Sequence, residues 1–184
     1  MDISNGRRDC TPKRIAIVGP ESSGKTTLTK ELSIHYNTAC VVEYARQYLE
    51  QKKEGYAKKE LDIMLHQQLI NEEAALKEAG PYLFCDTNAL SFFVWSMFKY
   101  GNCSNYISAQ LQRMNYDHYL LCRPDLSYEK DSLRESPSQL DRQRIFDMHL
   151  NVLKKKKLPF KIVERMGHHR RKKVISFLQT QFPA

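Results

Sequence analysis

The sequence predicts a three-layer α/β fold in which a parallel sheet of about five strands is covered by helices on both faces. Short apolar runs alternate along the chain with longer segments whose apolar residues recur at helical spacing. The short runs are apolar throughout, which is typical of strands buried on both faces. A length of 184 residues without internal repeats fits one domain.

The first half of the chain is predicted to contribute three strands and two helices after a polar leader at residues 1–13. In chain order, these elements are a strand at 14–18, a helix at 24–36, a strand at 39–42, a helix at 58–79 and a strand at 82–85. The third strand ends at Asp86. Gly80 and Pro81 follow the second helix and are expected to stop it.

The second half is predicted to complete the sheet with two further strands. Its elements are a helix at 89–100, a strand at 118–122, a charged loop with prolines at 123–137, a helix at 139–155, a strand at 160–163 and a helix at 168–180. Residues 14–184 are therefore expected to form a single domain.

The stretch GPESSGKT, residues 19–26, lies between the first predicted strand and the first predicted helix. It matches the phosphate-binding loop G-x-x-x-x-G-K-[ST] in the structural context that this motif requires. Its glycines allow backbone N–H groups to converge on phosphate oxygens, and the helix adds a partial positive charge. The sequence thus predicts a P-loop NTPase fold. The residues expected to bind the nucleotide are Gly19, Glu21, Ser22, Ser23, Gly24, Lys25, Thr26 and Thr27.

Asp86 is the expected acidic partner of this loop, because it ends a strand that should lie beside the first one. Thr26 and Asp86 are accordingly the predicted Mg²⁺ ligands, and Lys25 is expected to reach the β- and γ-phosphates. An alternative role for Asp86 is that of N-cap of the helix at 89–100, although Asn88 is better placed for it.

The reaction is not fixed by the loop alone. The chain contains no Asn-Lys-x-Asp segment of a GTPase and no LSGGQ-like transporter signature, and no length is left for the helical lid domain of an AAA-type motor. A charged segment at 123–144 carries Asp131, Arg134 and Arg142, as a small-molecule kinase needs in a lid that neutralises charge and excludes water. A surface loop with weak ion pairs is the alternative.

Composition restricts location and partners. No run of eighteen apolar residues and no hydrophobic signal segment are present, which argues against a membrane span or secretion. Five cysteines without metal-like spacing favour a reducing, cytoplasmic location. The net charge of +8 comes largely from basic runs at 154–157 and 168–173, which we interpret as solvated faces. Attraction of a polyphosphate or of nucleic acid is the alternative.

Four blocks carry a resemblance to a known family: GPESSGKTTL at 19–28, VVEYARQYLE at 41–50, LFCDTN at 83–88 and YDHYLLCRPDLSYEKDSLRE at 116–135. In order and spacing they resemble the NadR-type nicotinamide riboside kinase domain, from about residue 14 to the C-terminal helix. The resemblance implies ATP, Mg²⁺ and phosphorylation of the ribosyl 5′-hydroxyl of nicotinamide riboside to NMN in NAD salvage. Longer members carry a fused adenylyltransferase domain, so the kinase activity alone is predicted here.

The resemblance also implies roles for individual residues. The implied catalytic residues are Lys25, Asp86, Arg134, Arg142 and Glu43. The residues implied to contact the phosphate acceptor are Glu43, Tyr44, Arg46, Gln68 and Trp95. Glu43 and Arg46 could instead pair to fix a helix start, Gln68 could be a second layer of hydrogen bonding or a surface residue, and Trp95 could be core rather than a stacking partner of a pyridinium.

Three departures from the family pattern affect the lid and the acceptor side: Ser127-Tyr128, Ser132 and Asn88. Two alternatives to a nicotinamide riboside kinase therefore stay open. One is a kinase for another nucleoside or nucleotide. The other is a nucleotide-binding regulatory ATPase whose basic tail contacts nucleic acid. The sequence predicts no oligomeric state.

Overall fold

The computed structural model describes residues 11–52, 55–128, 138–165 and 167–183. Its centre is a parallel sheet of five strands in the order β2-β3-β1-β4-β5. The strands are β1 (Lys13–Val18), β2 (Cys40–Val41), β3 (Tyr82–Asp86), β4 (His118–Cys122) and β5 (Phe160–Val163). The predicted α/β fold with helices around a parallel sheet is confirmed.

The described residues form seven helices. They are α1 (Lys25–Tyr36), α2 (Tyr44–Lys52), α3 (Glu60–Leu76), α4 (Ala89–Tyr100), α5 (Asn105–Arg113), α6 (Gln139–Lys155) and α7 (Gly167–Gln181). None of these helices is long and apolar enough to cross a membrane.

The central strand β1 shows how the two outer layers attach to the sheet. Successive strand side chains point to opposite faces. Ile15 and Ile17 therefore pack with residues of α1 and α7 on one face, whereas Ala16 and Val18 pack with residues of α4 and α6 on the other. All four side chains are fully buried, which is why β1 is apolar throughout rather than alternating.

Two helices, α2 and α5, were not predicted from the sequence, and there is a physical reason for each. Helix α2 contains no fully buried residue, and its apolar face is short, with Tyr44, Ala45, Tyr48 and Leu49 only partly buried. Helix α5 is short, but Ser104 caps it by accepting a hydrogen bond from the Ile107 N–H at 3.0 Å. By contrast, α4, β4, α6 and β5 have the bounds that the sequence predicted.

The register of the sheet brings the functional segments together at the carboxyl ends of its strands. Ile17 of β1 lies opposite Asp86 of β3, and Val18 lies opposite Leu121 of β4. The loop after β1 therefore starts between the carboxyl ends of its two neighbours, the edge at which parallel α/β sheets bind ligands. Asp131 and Arg134, predicted for the lid, and most of the predicted leader lie outside the described residues.

Candidate active site

The loop at residues 19–24 needs glycine at both ends for steric reasons. Gly19 has φ = +140°, and a Cβ on it would lie 2.6 Å from the carbonyl oxygen of Cys122 at the end of β4. Gly24 has φ = +72°, and a Cβ on it would lie 2.7 Å from Nη1 of Arg170. Any side chain at either position would clash and strain the backbone.

The loop leads into a helix whose first turn is free of acidic side chains. Gly24 is the N-cap of α1 and supplies no side-chain hydrogen bond to the helix. Inside the loop, the Ser23 hydroxyl donates to the Pro20 carbonyl at 2.7 Å, and Lys25 Nζ donates to the same carbonyl at 2.9 Å. Because the first N–H groups of a helix lack intrahelical partners, this end of α1 suits an anion.

Thr26 and Asp86, predicted together as metal ligands, are in contact. The Thr26 hydroxyl donates to Asp86 Oδ2 at 2.5 Å, while the buried Oδ1 of Asp86 has no hydrogen-bond partner among the described residues. Burial and, to a lesser extent, the charge of Glu43 raise the pKa of Asp86 to about 6, against the opposing effect of Lys25. An unpartnered, desolvated carboxylate oxygen beside a hydroxyl fits Mg²⁺, which takes one or two protein oxygens and phosphate oxygens.

A cavity of about 500 Å³ extends from the loop to an apolar end between the helices. All eight residues of the 19–26 loop line it, together with Thr27. The apolar end is formed by side chains of α2, α3 and α4 and the segment before α3, namely Leu49, Tyr56, Leu61, Met64, Phe92 and Trp95. Such a cavity could hold a polyanion at one end and a flat organic group at the other.

Glu43 and Arg46 also line this cavity. The charge of Glu43 acts on Asp86, which places an acidic group near the site where a metal-bound phosphate would lie. Arg46 forms an ion pair with Glu50, one helical turn further along α2, at 3.1 Å. A Glu43–Arg46 pair, the alternative that the sequence left open, is not among the ion pairs of the described residues.

Gln68 and Tyr44, both expected to contact the acceptor, do not line the cavity. Gln68 is fully buried: its Oε1 accepts from the Tyr44 N–H at 2.9 Å, and its Nε2 donates to the carbonyls of Asp86 at 3.3 Å and Thr87 at 3.4 Å. The structure therefore corrects the substrate-binding assignment of Gln68. This side chain joins the start of α2 to the end of β3 and positions both.

Trp95 packs against another aromatic residue and also borders the cavity. Its indole lines the cavity, donates Nε1–H to the Tyr56 hydroxyl and stacks on Phe98 with ring centroids 5.9 Å apart. One side of the ring is therefore held by packing while the side chain still borders the cavity. An aromatic ring fixed in this way suits stacking on a flat or cationic ligand.

Arg142 is buried rather than directed into the cavity. It is 4% exposed, and its Nη1 donates to the Leu126 carbonyl at 3.1 Å while Nη2 donates to Gln139 Oε1. Its guanidinium also lies 5.6 Å from the ring centroid of Tyr128. In this conformation Arg142 holds the segment at 126–128, of which Leu126 and Ser127 line the cavity. Its catalytic role stays a prediction.

Two buried polar residues of the site were not identified from the sequence. His149 lines the cavity, and burial lowers its pKa to about 4, so the ring is neutral. Its Nδ1 lies 2.8 Å from the Ile145 carbonyl, which only accepts hydrogen bonds. The proton is therefore on Nδ1, and Nε2 accepts from Ser91 Oγ at 3.4 Å. The sequence contained a signal for the burial of His149, because this residue follows Ile145 by four positions on the buried stripe of α6.

Arg170 is the other missed residue, and it corrects the interpretation of the basic run at 168–173 as a solvated face. Its neighbours His168, His169, Lys172 and Lys173 are exposed, but Arg170 is only 6% exposed and lines the cavity. Its Nη2 donates to the Ser23 carbonyl at 2.9 Å. The available signal was spacing, since Arg170, Val174 and Leu178 recur every four residues along the buried side of α7.

Comparison with known proteins places the chain among P-loop domains. The model of the family AAA_28, described as an AAA domain, matches residues 14–171. The trifunctional NAD biosynthesis/regulator protein NadR of Salmonella typhimurium is 27% identical over 154 residues, 80% of this chain and 37% of the relative. NadR of Escherichia coli is 26% identical over 165 residues, 86% of this chain and 40% of the relative. The chain thus spans about two fifths of these curated relatives.

Solved structures share the fold. A NadR protein in complex with NR superposes with a TM-score of 0.79 at 19% identity, covering 92% of this chain and 51% of that one. Thymidylate kinase from Ehrlichia chaffeensis superposes with a TM-score of 0.63 at 16% identity, covering 91% of this chain and 99% of that one. The resemblance to NadR-type domains and the P-loop kinase fold are both confirmed.

Proposed function

The chain belongs to the AAA_28 family of AAA domains, and from this premise we propose that it is an ATP- and Mg²⁺-dependent kinase. Its proposed acceptor is nicotinamide riboside, phosphorylated at the ribosyl 5′-hydroxyl to give NMN. One observation carries the proposal: a single cavity is lined by a phosphate-binding loop, by Glu43 and by an aromatic wall that includes Phe92 and Trp95.

The donor half consists of the loop, the start of α1 and the buried acid of β3. Backbone N–H groups at the head of α1 would bind the phosphate oxygens, and Lys25 would leave the Pro20 carbonyl to neutralise the β- and γ-phosphates. Thr26 and Asp86 would hold Mg²⁺, which when bound supplies charge neutralisation of the phosphate oxygens. Electrostatics and positioning therefore provide most of the catalysis.

The acceptor half lies between Glu43 and Trp95. Glu43 would accept a hydrogen bond from a ribose hydroxyl or take the proton of the attacking 5′-hydroxyl. Phe92 and Trp95 offer aromatic surface to the nicotinamide ring, whose positive charge favours contact with an indole face. Arg46 would hold the acceptor or the product phosphate with its planar donors.

The named relatives support this choice of acceptor. The two curated relatives are called NAD biosynthesis proteins, and one similar structure is described in complex with NR. Another is described in complex with NAD and AMP-PNP, an ATP analogue. We propose the kinase activity for this chain.

We also propose a cytoplasmic location. Cys40, Cys85, Cys103 and Cys122 are free thiols, and thiols stay reduced in the cytoplasm.

A second candidate is a kinase for an ordinary nucleoside or nucleotide. The observation in its favour is structural: thymidylate kinase and deoxyadenosine kinase structures share this fold over 91% of the chain. The regulatory ATPase with a nucleic-acid-binding tail has less support, because among the described residues it rests on the exposed basic residues of α7 and of the end of α6.

An acceptor screen tests the proposal. Purified protein with ATP and Mg²⁺ is incubated with nicotinamide riboside, thymidine, deoxyadenosine, thymidylate or no acceptor, and ADP and the phosphorylated product are quantified. We expect ADP only with an acceptor and the highest kcat/KM with nicotinamide riboside. A higher value for another nucleoside would establish the second candidate, and ADP release independent of any acceptor would contradict both kinase assignments.

Lys25→Ala provides the matched test of the donor half. We expect phosphate transfer to fall by about 10³-fold or more, since the lysine charge acts on the transferred group. The control is Lys77→Ala, which removes an exposed lysine at the end of α3 and should leave turnover unchanged. Near-normal turnover of Lys25→Ala would refute the P-loop assignment.

A further inference from the structure

Arg170 of α7 is a buried cation that lies against the phosphate-binding loop. Its side chain is 6% exposed and lines the same cavity as the loop. Nη2 donates to the Ser23 carbonyl at 2.9 Å, and Nη1 lies 2.7 Å from the point where a Cβ on Gly24 would stand. The guanidinium is thus adjacent to the head of α1, where the N–H groups of the loop converge.

No carboxylate compensates this charge among the residues that the structure describes. Arg170 takes part in none of their ion pairs, and its buried Nε has no hydrogen-bond partner there. Glu164, which borders a smaller cavity with Arg170, pairs instead with Arg123 at 3.5 Å. Besides the hydrogen bond to Ser23, the guanidinium contacts the buried thiol of Cys122, so part of its five donors is left for another acceptor.

The protein offers a contrast in Arg14 of β1, a partly buried arginine whose side chain is 17% exposed. Arg14 forms ion pairs with Glu72 at 2.8 Å and Glu73 at 3.1 Å. Burying a cation without such a partner is strongly unfavourable, because the charge loses its hydration and gains no counter-charge. A counter-charge for Arg170 must therefore come from outside the described chain, and the adjoining cavity is where it can enter.

We propose that Arg170 binds the phosphates of the nucleotide and supplies from α7 a positive charge beside the loop and Lys25. A planar guanidinium forms paired, charge-assisted hydrogen bonds to phosphate oxygens, which a lysine does not reproduce. Arg170 is then a substrate-contacting residue, and the nucleotide supplies the counter-charge that the described residues do not. This inference rests on the nucleotide-binding half of the proposed function and is independent of the acceptor.

The test compares Arg170→Met and Arg170→Lys with the control Arg171→Met, which removes the same charge one residue further along α7. Two quantities are measured without acceptor: the Kd by calorimetry, for MgATP and for inorganic tripolyphosphate, and the Tm of the protein without nucleotide. Tripolyphosphate has no base or ribose, so a loss of affinity for it reports on phosphate contacts alone.

We expect Arg170→Met to bind MgATP and tripolyphosphate about 10- to 100-fold more weakly, the effect of losing a charge-assisted hydrogen bond to phosphate. Its Tm without nucleotide should equal or exceed that of the wild type, because an uncompensated buried charge has been removed. Arg170→Lys should bind with intermediate affinity, and Arg171→Met should match the wild type.

The opposite pattern identifies a structural arginine. If Arg170→Met fails to fold, or melts well below the wild type with its affinity for tripolyphosphate retained, Arg170 serves only to hold the loop and the inference is wrong. A wild type that binds neither probe would refute both the inference and the proposed function. A wild type that binds ATP but phosphorylates no acceptor would refute only the kinase proposal.

Discussion

Replacing Asp86 by asparagine should reveal how much stability the protein loses by burying this carboxylate. Asp86 is fully buried, and its pKa is raised from 3.8 to about 6 by desolvation and by the charge of Glu43. Below pH 3.8 the carboxyl is protonated in both the folded and the unfolded state. Above that pH the unfolded chain releases its proton first, so stability falls as the pH rises through the folded pKa and stays low above it.

The difference between the two pKa values is about two units and corresponds to about 3 kcal/mol. Roughly 2 kcal/mol of it develops between pH 4 and pH 7.5. Asparagine has nearly the same shape and cannot ionise. It introduces an unpartnered amide group beside Thr26, but this cost does not change with pH. The free energy of unfolding of Asp86→Asn should therefore rise relative to that of the wild type by about 2 kcal/mol over this pH interval.

Urea denaturation of both proteins at half-unit pH steps, in buffer with EDTA, measures this difference. Titrating groups that do not interact with Asp86 are common to both proteins and cancel in the subtraction. A flat difference between pH 4 and pH 7.5 would mean that Asp86 titrates normally and would refute the reasoning. A difference of the opposite sign would mean that Lys25 and Thr26 stabilise the carboxylate more than burial penalises it.

Four further variants test other residues predicted for the site. Adding Glu43→Gln should reduce the pH-dependent difference of the preceding experiment, because one cause of the raised pKa of Asp86 is removed; an unchanged difference would place Glu43 too far away. Gln68→Leu should lower the free energy of unfolding by about 2–4 kcal/mol in urea, since three backbone groups lose their partner; a loss under 1 kcal/mol would contradict it. Trp95→Leu should raise the KM for a cationic acceptor about tenfold and leave the KM for ATP unchanged; equal rises would indicate a packing defect. Arg134→Ala should lower kcat more than it raises the KM for ATP, and an unchanged kcat would make Arg134 a surface residue.

The fold was predictable where burial leaves a local pattern. The strand at 118–122 has the predicted bounds because it is a short run buried at every position, and the helix at 139–155 has them because its apolar residues recur at helical spacing. Helix α2 could not be identified in this way, because it buries no residue completely and is held through neighbours such as Gln68. Its start is fixed by a contact 24 residues away in sequence, which no local pattern contains.

The residues of the candidate site likewise fall into those that a local motif identifies and those that only long-range packing brings to the site. Residues 19–26 are contiguous, so a motif identifies them and the strand register then brings Asp86 to Thr26. Arg170 reaches the loop only because α7 packs beside α1, and its place in a basic run concealed it. Arg142 shows the opposite case, since an arginine in a charged segment is expected at the surface but here is buried under the Leu126 carbonyl.

The contact between Ser23 and Arg170 spans 147 residues and has a consequence for synthesis on the ribosome. The loop therefore emerges from the ribosome long before the arginine. Pairing of β1, the strand before the loop, is also delayed, because its partners β3 and β4 begin at Tyr82 and His118. Long-range pairings of this kind form late, and a nascent chain offers a nucleotide only part of its pocket. The complete pocket therefore forms only after translation has passed residue 170.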